Sequence, residues 1–273
     1  MAGSGWDIDR AATALLECED NRHDRGPITD EWPELDYDTA YAVQDETLRR
    51  RLARGEKLIG VKLGLTSRAK QKRMGIDVPL VAWLTDAMLL PAGEPVPQGK
   101  LIHPRVEPEI VFVMARELEG PGVSAAQALA AVDVVLGGAE VIDSRYRDFK
   151  FTLPDVVADN ASSGAFVTGP VALPADGLDL AMEAVMVEVD GAIVDSATGA
   201  AVQGHPAEAL ALAVNDLGRR GKKLEAGWIV LTGGMTDAVF APPGSSVACH
   251  FTSLGSVYLN GGPAAEAGTG TSA

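Results

Sequence analysis

Two glutamates separated by a single residue, Glu107 and Glu109, interrupt the apolar run Val106-Glu-Pro-Glu-Ile-Val-Phe-Val113. Residues i and i+2 of an extended chain point to the same face, so a strand here projects both carboxylates together. Shielded from water, two ionised carboxylates require a cation between them. The same spacing also fits a solvated strand face. A third carboxylate, Glu140, lies in the apolar stretch Gly138-Ala-Glu-Val-Ile142 and either completes a set of oxygen donors or is a surface or paired residue. Three carboxylates suit Mg²⁺ or Mn²⁺; zinc is disfavoured because Cys and His are missing nearby. Pro108 cannot donate to a ladder, which predicts a strand edge or bulge at this point.

Lys62 stands in Leu58-Ile-Gly-Val-Lys-Leu-Gly64, a segment patterned as a buried strand. A buried ammonium needs an anion, and a substrate carboxylate is one such partner; a lysine reaching to solvent from the strand end is the other reading. Gly60 and Gly64 allow something to approach the backbone closely. A third cluster runs from Val141-Ile-Asp-Ser-Arg145 to Val157-Ala-Asp-Asn-Ala-Ser-Ser-Gly164. Its small polar residues can offer N–H groups and hydroxyls to an anion, or Asp159-Asn160 is a turn and Arg145 a salt-bridge partner. His205 reads as a helix-start residue, and His103 and His250 have no evident partner. No Ser/His/Asp or Cys/His order suggests a nucleophilic triad. Gly233-Gly234 and Gly261-Gly262 lack the strand–glycine–helix context of a nucleotide site.

The elements that must position these groups follow from pattern and punctuation. Asp7 to Glu19 reads as a helix, and Asp38 as the cap of a second that buries Tyr41, Leu48 and Leu52 and ends at Gly55. Thr66-Ser67 caps a short basic helix stopped by Gly75, with Arg68 to Arg73 as a solvated face. Pro91 to Pro97 marks a boundary. Val106 to Met114 is a strand; Ser124-x-x-Gln127 is a capping box opening an Ala-rich helix to about Leu136; Ala139 to Asp143 is a short strand. Asp190-Gly191 predicts a hairpin between Ala184–Val189 and Ala192–Val194. Pro206 begins another helix that ends before Gly221, and Trp228–Thr232, Val247–Phe251 and Ser256–Leu259 close the sheet. The expected division is an N-terminal helical part (1–95) that contributes Lys62, a β-rich part (96–262) that binds the metal, and a disordered tail (263–273).

With 23 Lys and Arg against 38 Asp and Glu, the formal charge is −15, which disfavours nucleic acid or an anionic membrane as partner. The two cysteines cannot build a disulfide framework, no apolar run reaches the roughly 18 residues of a membrane span, and no basic-then-apolar leader opens the chain. A cytoplasmic location is the expectation.

Four segments together, Gly60-Val-Lys-Leu-Gly-Leu-Thr-Ser67, Pro104-Arg-Val-Glu-Pro-Glu-Ile110, Glu140-Val-Ile-Asp-Ser-Arg145 and Val157-Ala-Asp-Asn-Ala-Ser162, resemble the 2-keto-4-pentenoate hydratase and 4-oxalocrotonate decarboxylase family within the fumarylacetoacetate hydrolase superfamily. The resemblance spans roughly Leu15 to Leu259. It implies an α+β fold, a mixed β-sheet roll with an N-terminal helical part, and a role in the meta-cleavage breakdown of aromatic compounds. It also implies that Glu107, Glu109 and Glu140 hold Mg²⁺ or Mn²⁺, that Lys62 and Ser162 are catalytic, and that Thr66, Ser67, Asp86 and Arg145 contact substrate. Pro108 stands where the family tends to have Ala or Gly. Arg145-Tyr-Arg-Asp-Phe-Lys-Phe151, Leu101-Ile-His-Pro104 and Gly204-His-Pro206 resemble the decarboxylating branch, which takes 2-oxo-3-hexenedioate to 2-hydroxypenta-2,4-dienoate and CO₂. That implies a small 2-oxo dicarboxylate as substrate, a homo-oligomer, and a complex with the pathway hydratase. Hydration of the dienoate and a non-catalytic metal-binding subunit are the alternatives. A C–C hydrolase is disfavoured, as no His/Glu pair is placed to activate water.

Overall fold

The computed structural model describes residues 5–260 apart from 94, 96–98 and 243. The predicted tail, Gly261-Gly262 and part of the Pro91 to Pro97 boundary lie outside the described residues. Asp7 caps α1 (Ile8–Asn21), its carboxylate accepting from the Arg10 N–H. The cap of α2 (Tyr37–Ala53) is Asp36 rather than Asp38, which falls in the first turn. Tyr41 is buried as expected, but Leu52 is exposed. Arg51 takes the inner position because its guanidinium meets Glu19 of α1 and Glu56.

β1 (Leu58–Gly64) has its predicted bounds, and α3 (Arg68–Met74) follows, with Ser67 at its N-cap position but no side-chain capping hydrogen bond, and ended by Gly75. The chain then forms β2 (Leu80–Thr85) and β3 (Arg105–Met114). The capping box at Ser124 is present, yet α4 (Ala125–Leu129) stops early and β4 (Val132–Ile142) is one long strand. The predicted helix to Leu136 is therefore wrong in its second half. Val132, Val134 and Val135 are β-branched and pair with Met114, Val113 and Phe112 of β3, and that pairing overrides the alanine-rich start.

α5 (Leu153–Ala158) leads into β5 (Ser163–Leu173). The hairpin of β6 (Ala184–Val189) and β7 (Ala192–Thr198) turns at Asp190-Gly191, both with positive φ, as the primed hairpin turn requires. His205 caps α6 (Pro206–Arg219), its ring nitrogen accepting from the Ala207 N–H. The chain ends in β8 (Ile229–Leu231), β9 (Val239–Phe240), β10 (Val247–Phe251) and β11 (Ser256–Leu259).

The strands form two sheets. One runs β2-β1-β8-β3-β4-β5 with β9 beside β3; its β1–β8 pair is parallel and the others antiparallel, so the sheet is mixed. The second runs β11-β10-β6-β7. The last strands therefore do not all close one sheet: β8 inserts between β1 and β3, while β10 and β11 join the hairpin. Phe112, Val135 and Val167 of the large sheet share a core with Val187, Cys249 and Val257 of the small one and with Leu210 and Val214 of α6. A second core joins α1, α2 and α5 to Leu80 and Ala82 of β2. The large sheet crosses the division expected near residue 95, with β1 and β2 on one side of it and β3 to β5 on the other. No described helix is long and apolar enough to cross a membrane.

Candidate active site

Strand register assembles the carboxylates. Glu107 of β3 is the direct cross-strand partner of Glu140 in β4, and Glu109 follows on the same face of β3. One oxygen from each of the three lies within 4.8 Å of the others. Glu109 and Glu140 are buried, while Glu107 is half-buried and lines a cleft of about 180 Å³. Pro108 points to the opposite, buried face. It sits between the short stretches where β8 and β9 pair with β3, and its carbonyl accepts from the Met235 N–H. The missing N–H thus falls in a gap in the ladder inside the sheet, at neither the edge nor the bulge that the sequence suggested, since β3 and β4 stay in register at Pro108.

Lys62 answers one of these carboxylates. Its Nζ stands 3.0 Å and 3.1 Å from the two oxygens of Glu140, and both side chains are buried. The close approach permitted by Gly60 is used by β8 rather than by a ligand, since a Cβ there would lie 2.0 Å from the Ile229 carbonyl oxygen.

Glu109 is held from a loop that sequence reasoning set aside. β8 ends at Leu231 and the chain leaves through Thr232-Gly233-Gly234, where the Gly233 N–H donates to Glu109 Oε2 at 2.6 Å. The other oxygen, Oε1, is buried with no hydrogen-bond partner among the described residues. Burial first, and then the charges of Glu140 and Glu107, push the Glu109 carboxyl well above the usual carboxylate range; Lys62 and the Gly233 N–H act the other way. A buried oxygen without a donor, beside two further carboxylates and one ammonium, is what a hard divalent cation satisfies. The donor set fits Mg²⁺ or Mn²⁺ and offers no nitrogen or sulfur for zinc.

The cleft opens above these groups. Thr66, Ser67 and Ser162 line its polar side, and Leu80, Phe149, Phe151 and Val156 form an apolar wall. Asn160, Ala161 and Ser162 all have positive φ, a run that costs roughly 1 kcal/mol or more per residue and must be imposed from outside. Two side chains impose it. Asn160 bonds both the N–H and the carbonyl of Trp83 at 2.9 Å, and Asp159 pairs with Arg145.

Of the two readings of Arg145, the structure shows the salt-bridge partner: it braces the loop and is not among the residues lining the cleft. It is buried, its Nε meets Asp159 Oδ1, and its other nitrogens donate to the carbonyls of Ser163 and Asp159 at 2.9 and 2.7 Å. Burial raises Asp159 to about 6 against the pull of Arg145. Asp86 is not brought to the site either. It lies exposed at the far end of β2 from Leu80, where its carboxylate accepts from the Lys57 N–H. Of the histidines without evident partners, His250 meets Ser256 and Glu188, and His103 packs on Phe149. The Gly233-Gly234 pair, Phe149 and Phe151 were missed. A glycine pair directly after a strand was the available signal for the first; nothing local marked the two phenylalanines as cleft residues.

Residues 57–259 match the C-terminal domain of fumarylacetoacetate hydrolase. The chain belongs to the fumarylacetoacetate hydrolase family. Within that family it is 45% identical to a 4-oxalocrotonate decarboxylase of Pseudomonas sp. (strain CF600), over 90% of this chain and 93% of the relative. It is 35% identical to a 2-keto-4-pentenoate hydratase of Paraburkholderia xenovorans, over 91% and 93%. A solved structure of 4-oxalocrotonate decarboxylase from Pseudomonas putida G7, complexed with magnesium and adipate, superposes with a TM-score of 0.90 at 42% identity, covering 92% of this chain and 95% of that one. The α+β fold and the family expected from the sequence are those found.

Proposed function

We infer that this protein is a divalent-metal-dependent carboxy-lyase that converts 2-oxo-3-hexenedioate (4-oxalocrotonate) to 2-hydroxypenta-2,4-dienoate and CO₂. The observation that carries this reading is the convergence of Glu107, Glu109 and Glu140 below a cleft, in a chain 41–45% identical to the decarboxylases and 35–40% identical to the hydratases it resembles.

Glu107, Glu109 and Glu140 would hold Mg²⁺ or Mn²⁺. When bound, the ion supplies Lewis acidity at the 2-oxo acid end of the substrate. The bond to the distal carboxylate breaks, and its electron pair forms a double bond conjugated towards the 2-oxo group. The carbonyl oxygen becomes the enol oxygen and takes a proton. Lys62 sets the charge of the carboxylate cluster through Glu140 and lines the cleft, where it is suited to hold or deliver that proton. Ser162 and Thr66 offer hydroxyls that orient the substrate, with Ser67 beside them. The wall of Leu80, Phe149, Phe151 and Val156 limits water at the dienolate, which disfavours hydration of the product.

In this reading the partners are a small 2-oxo dicarboxylate, a second copy of the chain and the pathway hydratase, in the cytoplasm, as part of aromatic-compound breakdown. The deciding experiment supplies purified protein and Mg²⁺ with 2-oxo-3-hexenedioate and measures CO₂, then supplies 2-hydroxypenta-2,4-dienoate and follows its absorbance. CO₂ release with a stable dienoate supports the reading. Dienoate decay without CO₂ release replaces it with the hydratase.

A further inference from the structure

Two observations meet at the turn that leaves β8. The Gly233 N–H donates to Glu109 Oε2 at 2.6 Å, which leaves Oε1 as the oxygen of that carboxylate without a donor among the described residues. One residue on, Gly234 lies against the other β3 carboxylate: a Cβ at Gly234 would sit 2.8 Å from Glu107 Cδ and 2.9 and 3.1 Å from its oxygens. At Gly233 itself φ is +111°, and a Cβ would stand 2.1 Å from Thr66 Oγ1. The backbone thus touches both E-x-E carboxylates at distances that only glycine permits.

We propose that the Gly233-Gly234 turn is a positioning element of the cation site, which fixes Glu109 by a hydrogen bond and Glu107 by contact so that both present oxygens to one ion. The inference rests on the reading of the three carboxylates as metal ligands. Glycine at 233 is required by its conformation; at 234 the three atoms nearest to an added Cβ all belong to the Glu107 carboxylate. Gly234 has no positive φ, so alanine meets no left-handed strain there, and the three nearest atoms it would meet are the far end of a flexible side chain. Gly234→Ala therefore displaces the Glu107 carboxylate and leaves the fold in place.

The test is Mn²⁺ binding to the full-length protein by electron paramagnetic resonance, with no substrate present, in wild type, Gly234→Ala, Glu107→Asp and the double variant. Gly234→Ala is expected to weaken Mn²⁺ binding at least about tenfold, the range for groups that orient metal ligands, with an unchanged thermal midpoint. In the double variant, the side chain shortened by Glu107→Asp withdraws from the added methyl, so the loss is expected to be smaller than the product of the two single losses. Wild-type affinity in Gly234→Ala, strictly multiplicative losses, or unfolding of Gly234→Ala would each overturn the proposal. A wild type that does not bind Mn²⁺ overturns the reading of the site instead, so the two failures are distinct.

Discussion

Lys62 and Glu140 form a buried ion pair in which one ammonium spans both carboxylate oxygens, at 3.0 and 3.1 Å. The pair joins β1 to β4 across two intervening strands, β8 and β3, and places a cation at the floor of an otherwise anionic cluster.

Removing that ammonium leaves Glu140 buried beside two other carboxylates. Lys62→Met is expected to lose about 3–5 kcal/mol of metal-free stability, as a broken buried pair does, and to regain part of it in millimolar Mg²⁺, which binds the folded state. Thermal midpoints with and without Mg²⁺ check this. Equal midpoints for the variant and wild type in the absence of metal would contradict it. Turnover is expected to fall at least about 100-fold even with Mg²⁺ bound, consistent with a proton-handling role.

Glu109 is the most enclosed of the three carboxylates, with one oxygen on the Gly233 N–H and the other without a partner among the described residues. Glu109→Gln keeps the shape and removes the charge. Metal-dependent CO₂ release is expected to fall at least about 100-fold, while metal-free stability rises because burial and the neighbouring charges already disfavour the ionised form. Urea denaturation in chelator measures the second effect, and a less stable metal-free variant would refute it.

The Arg145–Asp159 pair braces the strained residues Asn160 to Ser162. Asp159→Ala strands a buried guanidinium and is expected to cost about 3–5 kcal/mol by urea denaturation. Arg145→Lys keeps the charge but cannot reproduce the fork that also reaches the carbonyls of Ser163 and Asp159. It should therefore lower kcat by displacing Ser162 while leaving Mn²⁺ affinity unchanged. A direct substrate ligand would instead show its loss mainly in KM.

Burial pushes the Cys18 thiol up to about 11 and the Cys249 thiol to about 12, from an ordinary 9.0. In the folded chain both stay protonated at pH 8, and alkylation of each is expected to be at least about 100-fold slower than that of a free cysteine. Because the folded-state values exceed the unfolded ones, the folded state holds these protons longer. Stability is therefore expected to fall as pH rises from about 9 towards 11. A mass-spectrometric time course of alkylation tests the first expectation and urea midpoints across that pH range test the second.

Local periodicity was enough to place the E-x-E carboxylates on one strand face, to bound β1, and to set the hairpin turn at Asp190-Gly191, because each depends on residues a few positions apart. It failed where distant pairing overrode local preference. The helix opened at Ser124 gave way to strand at Val132 because Val132, Val134 and Val135 pair with β3, and Leu52 yielded the inner face of α2 to Arg51 because Glu19 waited on another helix.

For the site, residue types and their resemblance to a known family named Lys62, Glu107, Glu109, Glu140, Thr66, Ser67 and Ser162, and the structure gathers all of these around one cleft. Partnership was decided only by the tertiary fold. Arg145 is bound to Asp159, Asp86 stands at the wrong end of its strand, and the Gly233 N–H reaches Glu109 from a loop 124 residues away. Side-chain period says which face a group is on. Which of the cations and donors gathered on that face reaches it is set by strand order and register, and those are settled by burying the whole sheet at once.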